Sequence, residues 1–401
     1  MKVYIAGAKR TPIGRFGGVF KDLSAVELAK IAAKAALEQA GISPEAVDQV
    51  VVGNVLMAGQ GMGPARQVAL GVHVPVEKTA FTVNMVCGSG MKAIMLAAQA
   101  IMLGEAHVVL AAGMENMSKA PYLLPSSARF GAKFGNLKLL DSMIEDGLTD
   151  VFNQVHMGLT AEHLAEKFGI SRQDQDLFAY QSQMKTKEAM EKGKFRDEIV
   201  PIPVKVKKEE IMVDKDEHPR PDVTLEKLSK LPPAFKKDGT VTAGNSSGIN
   251  DGASATVLVS EDFLNAHGLK PLIRIVDFAK AGVDPLEMGL GPVPAVKKLM
   301  EKTGKSFQEM ELIELNEAFA AQSIAVIKNW SELFGISTDE ILNKTNVNGG
   351  AIALGHPIGA SGNRIVVTLI YEMKKREATL GLATLCIGGG MGTAIMLENA
   401  S

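Results

Sequence analysis

Apolar residues recur at helical spacing from Ser24 to Ala40, which predicts an amphipathic helix with Ser24 as N-cap and Gly41 as its stop. Val47–Leu56 and Thr79–Val86 read as strands, and Met91–Leu103 is a run of strong helix formers closed by Gly104. Ala106–Gly113 is continuously apolar, the pattern of a buried strand. Between Ser118 and Ser247 the pattern turns irregular, with helical patches at Thr160–Phe168 and Arg172–Lys192 and a Lys/Glu-rich segment from Val204 to Lys230. Strand patterning returns at Asn250–Ser260 and Pro271–Asp277, and a long helix is expected over Gly359–Lys375.

Ala378–Leu397 carries no charge over 20 residues, long enough to span a bilayer. The glycines of Cys386-Ile-Gly-Gly-Gly-Met-Gly392 instead divide it into two buried strands, Leu380–Ile387 and Thr393–Leu397, joined as a hairpin.

The pattern repeats. Gly41-Ile-Ser-Pro-Glu is matched 263 residues later by Gly304-Lys-Ser-Phe-Gln, and Val83-Asn84 is matched 264 residues later by Val347-Asn348. The repeat implies two α/β halves packed side by side, with residues 119–249 inserted where the second half has only Gly389–Gly392. Helices alternating with strands predict largely parallel sheets, whose sites lie beyond the carboxyl ends of the strands. Cys87, Asn316, His356 and Cys386 all fall at such ends.

Composition narrows the class. A chain of 401 residues with 46% apolar and 22% charged positions fits a soluble protein of more than one domain. A net charge of −2 argues against a general nucleic-acid binder. Two cysteines make no disulfide framework and suit a reducing cytosol. The cluster Ala58-Gly-Gln-Gly-Met-Gly63 lacks dinucleotide-loop spacing.

Candidate chemistry centres on Asn84-Met-Val-Cys87-Gly-Ser-Gly90, where a strand hands over to a helix. Unpaired N–H groups and the helix dipole there would lower the Cys87 pKa; the alternative is a buried structural cysteine. His356, amid glycines and before Pro357, is read as a base for a thiol, or else as a surface-loop residue. Cys386 precedes three glycines that admit a substrate to the backbone, with core packing as the alternative. Asn316, in Glu314-Leu-Asn-Glu-Ala-Phe-Ala320, is read as functional or as the cap of the following helix. His73, His107, His163, His218 and His267 lack metal-ligand spacing and read as surface or local contacts, so no metal is expected.

Four stretches, Val86-Cys87-Gly-Ser-Gly, Asn316-Glu-Ala-Phe, Gly355-His356-Pro-Ile-Gly-Ala-Ser-Gly and Cys386-Ile-Gly-Gly-Gly-Met-Gly, resemble the signature blocks of the thiolase family. The resemblance runs essentially end to end, and His156-Met157-Gly158 makes it strongest to the short-chain, biosynthetic branch. It implies a thiolase-like α/β fold, two homologous βαβαβαββ halves forming a five-layered αβαβα core with an inserted loop domain. The expected divisions are 1–118, completed by 250–270, a CoA-binding loop domain at 119–249, and a second half at 271–401.

The implied activity is acetyl-CoA C-acetyltransferase, the reversible condensation of two acetyl-CoA to acetoacetyl-CoA and CoA through an acetyl-cysteine. Cys87 would be the nucleophile, His356 its base and an oxyanion donor, Cys386 the proton acceptor and donor. Asn316 would hold an oxyanion-hole water, and Gly388 would supply a backbone donor. Arg220 and Ser247 match positions that contact CoA. Leu148, His156, Met157, Phe235, Ala243, Met288, Ala318 and Phe319 match wall positions, with Met157, Met288 and Phe319 closing the acyl pocket against long chains. Lys227 departs from a serine found near the adenine in some relatives, and the lysines around Lys205–Lys208 read as a solvated charged face, the alternative being attraction of the CoA phosphates. No tightly bound cofactor, nucleic acid or membrane is expected, and the family implies a cytoplasmic homotetramer built as a dimer of dimers. The alternatives are a 3-ketoacyl-CoA thiolase for longer chains and a non-catalytic acyl-CoA-binding protein. If Cys87 and Cys386 approach one substrate closely enough, oxidation could join them reversibly, the alternative to two permanently free thiols.

Overall fold

The computed structural model describes residues 1–206 and 208–400. Lys207 of the lysine group and Ser401 of the expected second half lie outside the described residues.

The first half runs β1 (Val3–Arg10), α1 (Ala25–Ala40), β2 (Gln49–Gly53), α2 (Pro64–Gly71), β3 (Thr79–Val83), α3 (Ser89–Met102) and β4 (Val108–Asn116). Local chemistry sets these boundaries. Ser24 and Glu27 form a reciprocal capping box at the start of α1, and Gly41 ends it with φ 64°. Gly59, Gly61 and Gly63 all take positive φ in the turn before α2, so the glycine cluster serves a backbone path. The excursion then carries α4 (Met157–Lys167), α5 (Arg172–Glu191) and an antiparallel hairpin of Ile202–Val206 with Glu209–Val213. The chain returns as β5 (Asn250–Ser260), followed by β6 (Ile273–Gly282), α6 (Pro292–Thr303), β7 (Leu312–Leu315), α7 (Ala320–Phe334), α8 (Ile358–Arg376), β8 (Leu380–Ile387) and β9 (Met391–Glu398).

The strands line up as β7-β8-β9-β6-β1-β5-β4-β2-β3 in one sheet, with Gly14–Arg15 pairing β5. The expectation of largely parallel sheets is corrected here. Only β2·β3, β2·β4 and β7·β8 are parallel, whereas the pairings of β1, β5, β6 and β9 are antiparallel. The physical reason is the return stroke: a three-residue turn between Ile387 and Met391 can only reverse the chain, and β5 likewise re-enters beside β4 running in the opposite direction. The halves meet edge to edge where Val3–Ile5 pairs with Ile273–Ile275.

Period-two alternation divides the core. Val50 and Val52 face α1 and α2, while Val51 faces inward; Leu380 and Leu382 face α6 and α7, while Ala383, Leu385 and Ile387 face inward. The inward residues meet α3 and α8, which lie between the two parts of the sheet. Helices outside, sheet, two helices, sheet and helices outside make five layers. Gly90 brings α3 against α8, since a Cβ there would stand 2.7 Å from Asn363 N and 2.9 Å from Gly359 O. That close crossing draws together the N-termini of the two helices. The excursion is tied to β1 by Arg10, buried with Glu198 (2.6 Å) and Asp216 (2.7 Å). Among the described residues no helix is long and apolar enough to cross a membrane.

Candidate active site

Cys87 sits in the turn from β3 to α3. Gly88 N–H donates to Met85 O (3.0 Å), Ser89 N–H to Val86 O (3.0 Å), and Met85 N–H to Ser89 Oγ (2.8 Å). Val86 is held at φ 45°, a region that a β-branched residue rarely occupies, so the turn is strained. These bonds consume the N–H groups of Gly88 and Ser89. The donors left for the sulfur are the N–H groups of Gly388 and of Cys87 itself.

The expected depression of the Cys87 pKa is therefore reversed. Burial pushes the thiol up to about 11, the two N–H groups pull it down by less, and Glu115 adds a further upward push. Cys87 remains half-buried, whereas Cys386, the penultimate residue of β8, is buried. Burial also raises the Cys386 pKa, and the nearby Cys87 adds to it. Both are free thiols.

His356 is buried in the loop that enters α8. Its N–H donates to Asn250 Oδ1 (2.9 Å), and Asn250 Nδ2 donates to Gly14 O (2.9 Å), which pins the loop to the first half. Gly355 is at φ 103° with Asn250 against its Cα, so no side chain fits there. The ring Nδ1 lies 2.6 Å from Ser361 Oγ, and Nε2 is buried with no hydrogen-bond partner. Burial, with Arg364 second, pushes the His356 pKa down to about 3, so the ring is neutral at pH 7.

Asn316 is fully buried just beyond β7, and neither Oδ1 nor Nδ2 has a partner. It does not cap α7, which starts at Ala320 with Phe319 in the cap position. A buried amide with both ends free is a site for a bridging water or a ligand atom.

A cavity of about 560 Å³ reaches His356; Cys87, Cys386 and Asn316 are not among its lining residues. Leu148, His156, Met157, Arg220, Phe235, Ala243, Ser247, Phe319 and His356 line it. Met288 and Ala318 lie one layer behind, packed with Met157, Phe319 and Cys386. Gly388 stands between Met157 and Val86, with Met157 Sδ 3.4 Å from where its Cβ would be. Cys87 packs near Leu148, Met117 and Ile358, all three of which line the cavity. Residues 245–247 and 318–320 run beside each other, with Ser247 N–H donating to Ala318 O (2.9 Å) and Ala320 N–H to Asn245 O (2.9 Å). His156 Nδ1 accepts from Gly158 N–H (3.0 Å) at the start of α4, and its ring stacks on Phe235 at 4.8 Å.

Lys227 lies outside this lining; its Nζ donates to Asp222 O (2.9 Å). Lys205 and Lys208, on the exposed hairpin, are not part of it either. Three features escaped the sequence reading. His218, taken as a surface or local contact, lines the cavity, and burial pushes its pKa down to about 4. Arg15 and Phe16 reach the cavity from the first half. Glu115, fully buried, accepts from Asn54 Nδ2 (2.8 Å), Val55 N–H (3.1 Å) and Gly359 N–H (2.9 Å), clasping the loop after β2 to the start of α8. A carboxylate closing the otherwise apolar run of β4 was the available signal.

Comparison with known proteins gives one consistent picture. The family model described as Thiolase, N-terminal domain matches residues 3–262, and Thiolase, C-terminal domain matches residues 269–399. An acetyl-CoA acetyltransferase of Syntrophomonas wolfei is 51% identical over 401 residues, covering 99% of both chains. One from Pseudomonas aeruginosa is 53% identical over 398 residues, covering 98% of both. Among solved structures, the S. wolfei acetyl-CoA acetyltransferase superposes with a TM-score of 0.96 at 43% identity, covering 99% of each chain. Human mitochondrial 3-ketoacyl-CoA thiolase in complex with CoA superposes with a TM-score of 0.94 at 47% identity, covering 100% of this chain and 98% of that one.

Proposed function

The chain belongs to the thiolase family, and we propose from that premise that it is an acetyl-CoA C-acetyltransferase, an acyltransferase that interconverts two acetyl-CoA with acetoacetyl-CoA and CoA. The observation that carries the mechanism is the pair of N–H groups, from Gly388 and Cys87, directed at the Cys87 sulfur, together with a neutral histidine on the cavity wall whose Nε2 is free. Cys87 rests as a thiol and attacks the acetyl thioester, passing its proton to His356 Nε2; the C–S bond to CoA breaks and CoA leaves with a proton. The same two N–H groups meet the oxygen that gains charge, and each such donor is worth about 3 kcal/mol in comparable sites.

In the second step Cys386 passes its thiol proton to His356 Nε2 and, as a thiolate, takes a proton from the methyl carbon of the next acetyl-CoA. Its enolate oxygen is met by His356 and by a water on Asn316, and the new C–C bond displaces the Cys87 sulfur. Thiolysis is the reverse. CoA occupies the cavity, with Arg220 and Ser247 holding its nucleotide and pantetheine portions, and Met157, Met288 and Phe319 end the acyl pocket. The two free thiols suit work in a reducing cytoplasm. The exposed edge of β3, with Phe81, and the exposed Tyr122, Phe130 and Phe134 suit burial against further copies of the chain, in line with the homotetramer.

The likeness to a 3-ketoacyl-CoA thiolase keeps a longer-chain activity as the competing reading. Thiolysis kinetics across acyl lengths decide between them: kcat/KM is expected to be highest for acetoacetyl-CoA and to fall with each added pair of carbons. A maximum at medium or long chains would overturn the assignment.

A further inference from the structure

His356 has two ring nitrogens in unlike surroundings. Nδ1 is 2.6 Å from Ser361 Oγ, and Nε2 is buried without a partner. The Ser361 hydroxyl has a second neighbour, the Pro357 carbonyl at 3.0 Å, one helical turn back. A hydroxyl has one proton; given to Pro357 O, it leaves Oγ to accept from Nδ1–H. The orphan points the same way. An N–H buried without an acceptor is rarer and costlier than a lone pair without a donor. The low-cost arrangement puts the ring proton on Nδ1 and the lone pair on Nε2.

We propose that Ser361 is a positioning residue: its hydroxyl fixes His356 in the Nδ1–H tautomer, so that Nε2 faces the reacting atoms as a base. Asn250 holds the main chain of the same residue, so backbone and ring are fixed by separate partners. Ser361 is fully buried in the first turn of α8 and touches no cavity surface, so it acts only through the histidine. The proposal rests on reading His356 as the base.

Nitrogen NMR of the wild-type imidazoles, with His356 assigned by comparison with His356→Gln, tests the tautomer without any perturbation of the site. A protonated Nδ1 and bare Nε2 at neutral pH are expected; the opposite tautomer would overturn the proposal. In Ser361→Ala, kcat for thiolysis and the alkylation rate of Cys87 by iodoacetamide are expected to fall about tenfold to a hundredfold, with KM for CoA unchanged. His356 in that variant should show mixed tautomers. Full activity in Ser361→Ala together with an inactive His356→Ala would reject Ser361 alone. An active His356→Ala would instead reject the underlying reading of the histidine.

Discussion

The two halves share a backbone plan but leave one equivalent strand by different routes. After β8 the second half turns in three residues, Gly388–Gly390, and returns as β9. After β4, its counterpart, the first half departs at Met117 and does not return until Asn250. The end of β8 supplies a buried thiol and the short turn a backbone N–H to Cys87; the long excursion supplies most of the cavity wall. A second difference lies one position over in the repeat. The segment after Val83-Asn84 carries the strained Cys87 turn, while the segment after Val347-Asn348 carries His356. The two equivalent loops thus differ in their chemistry, and in the proposed mechanism one carries the nucleophile and the other the base.

The largest effect is expected at the first-half loop. Cys87→Ala should lower acetyl transfer by on the order of 10⁴-fold or more, measured as acetoacetyl-CoA thiolysis. Next comes the second-half turn: Cys386→Ala should lower condensation roughly 10²- to 10⁴-fold while leaving acetylation of Cys87 by acetyl-CoA intact. Equal loss of both steps would mean the two thiols do not divide the work. Asn316→Ala, which removes the partnerless amide, should cost about tenfold to a hundredfold in kcat with little change in KM.

The smallest effect is a matter of pH. Because burial sets the Cys87 pKa near 11, its alkylation in the free protein should keep rising with pH from 7 to 10. A plateau near pH 7 would indicate a resting thiolate–imidazolium pair. His356 adds a stability effect of definite sign. Its pKa is depressed to about 3, below the roughly 6.5 of an unfolded chain, so the unfolded state binds the extra proton. That contribution is complete above about pH 6.5 and is lost as pH falls toward 3.

Much of the fold was legible in the chain. The Ser24 N-cap and the Gly41 stop are local signals, and they marked both ends of α1; the reciprocal bond from Glu27 emerged only in the structure. Gly41 and Gly304 ended equivalent helices in both halves, as the repeat required. Strand direction was not legible, because the register of Val3 with Ser260 joins residues remote in sequence. Nor was the acidity of Cys87. The helix N-terminus suggested a lowered pKa, but the turn spends the N–H groups of Gly88 and Ser89 on its own carbonyls. Cavity residues from the first half, Arg15 and Phe16, carried no pattern that tied them to a site built mainly elsewhere.

In this mechanism the Cys87 sulfur is the atom that carries the acyl group between the halves. Incubating the Cys386→Ala protein with acetyl-CoA, quenching in acid and mapping peptides by mass tests that role directly. One acetyl group on the peptide containing Cys87, removed on adding CoA, is the expected result. Absence of any acetyl adduct, or an adduct on another residue, would contradict it.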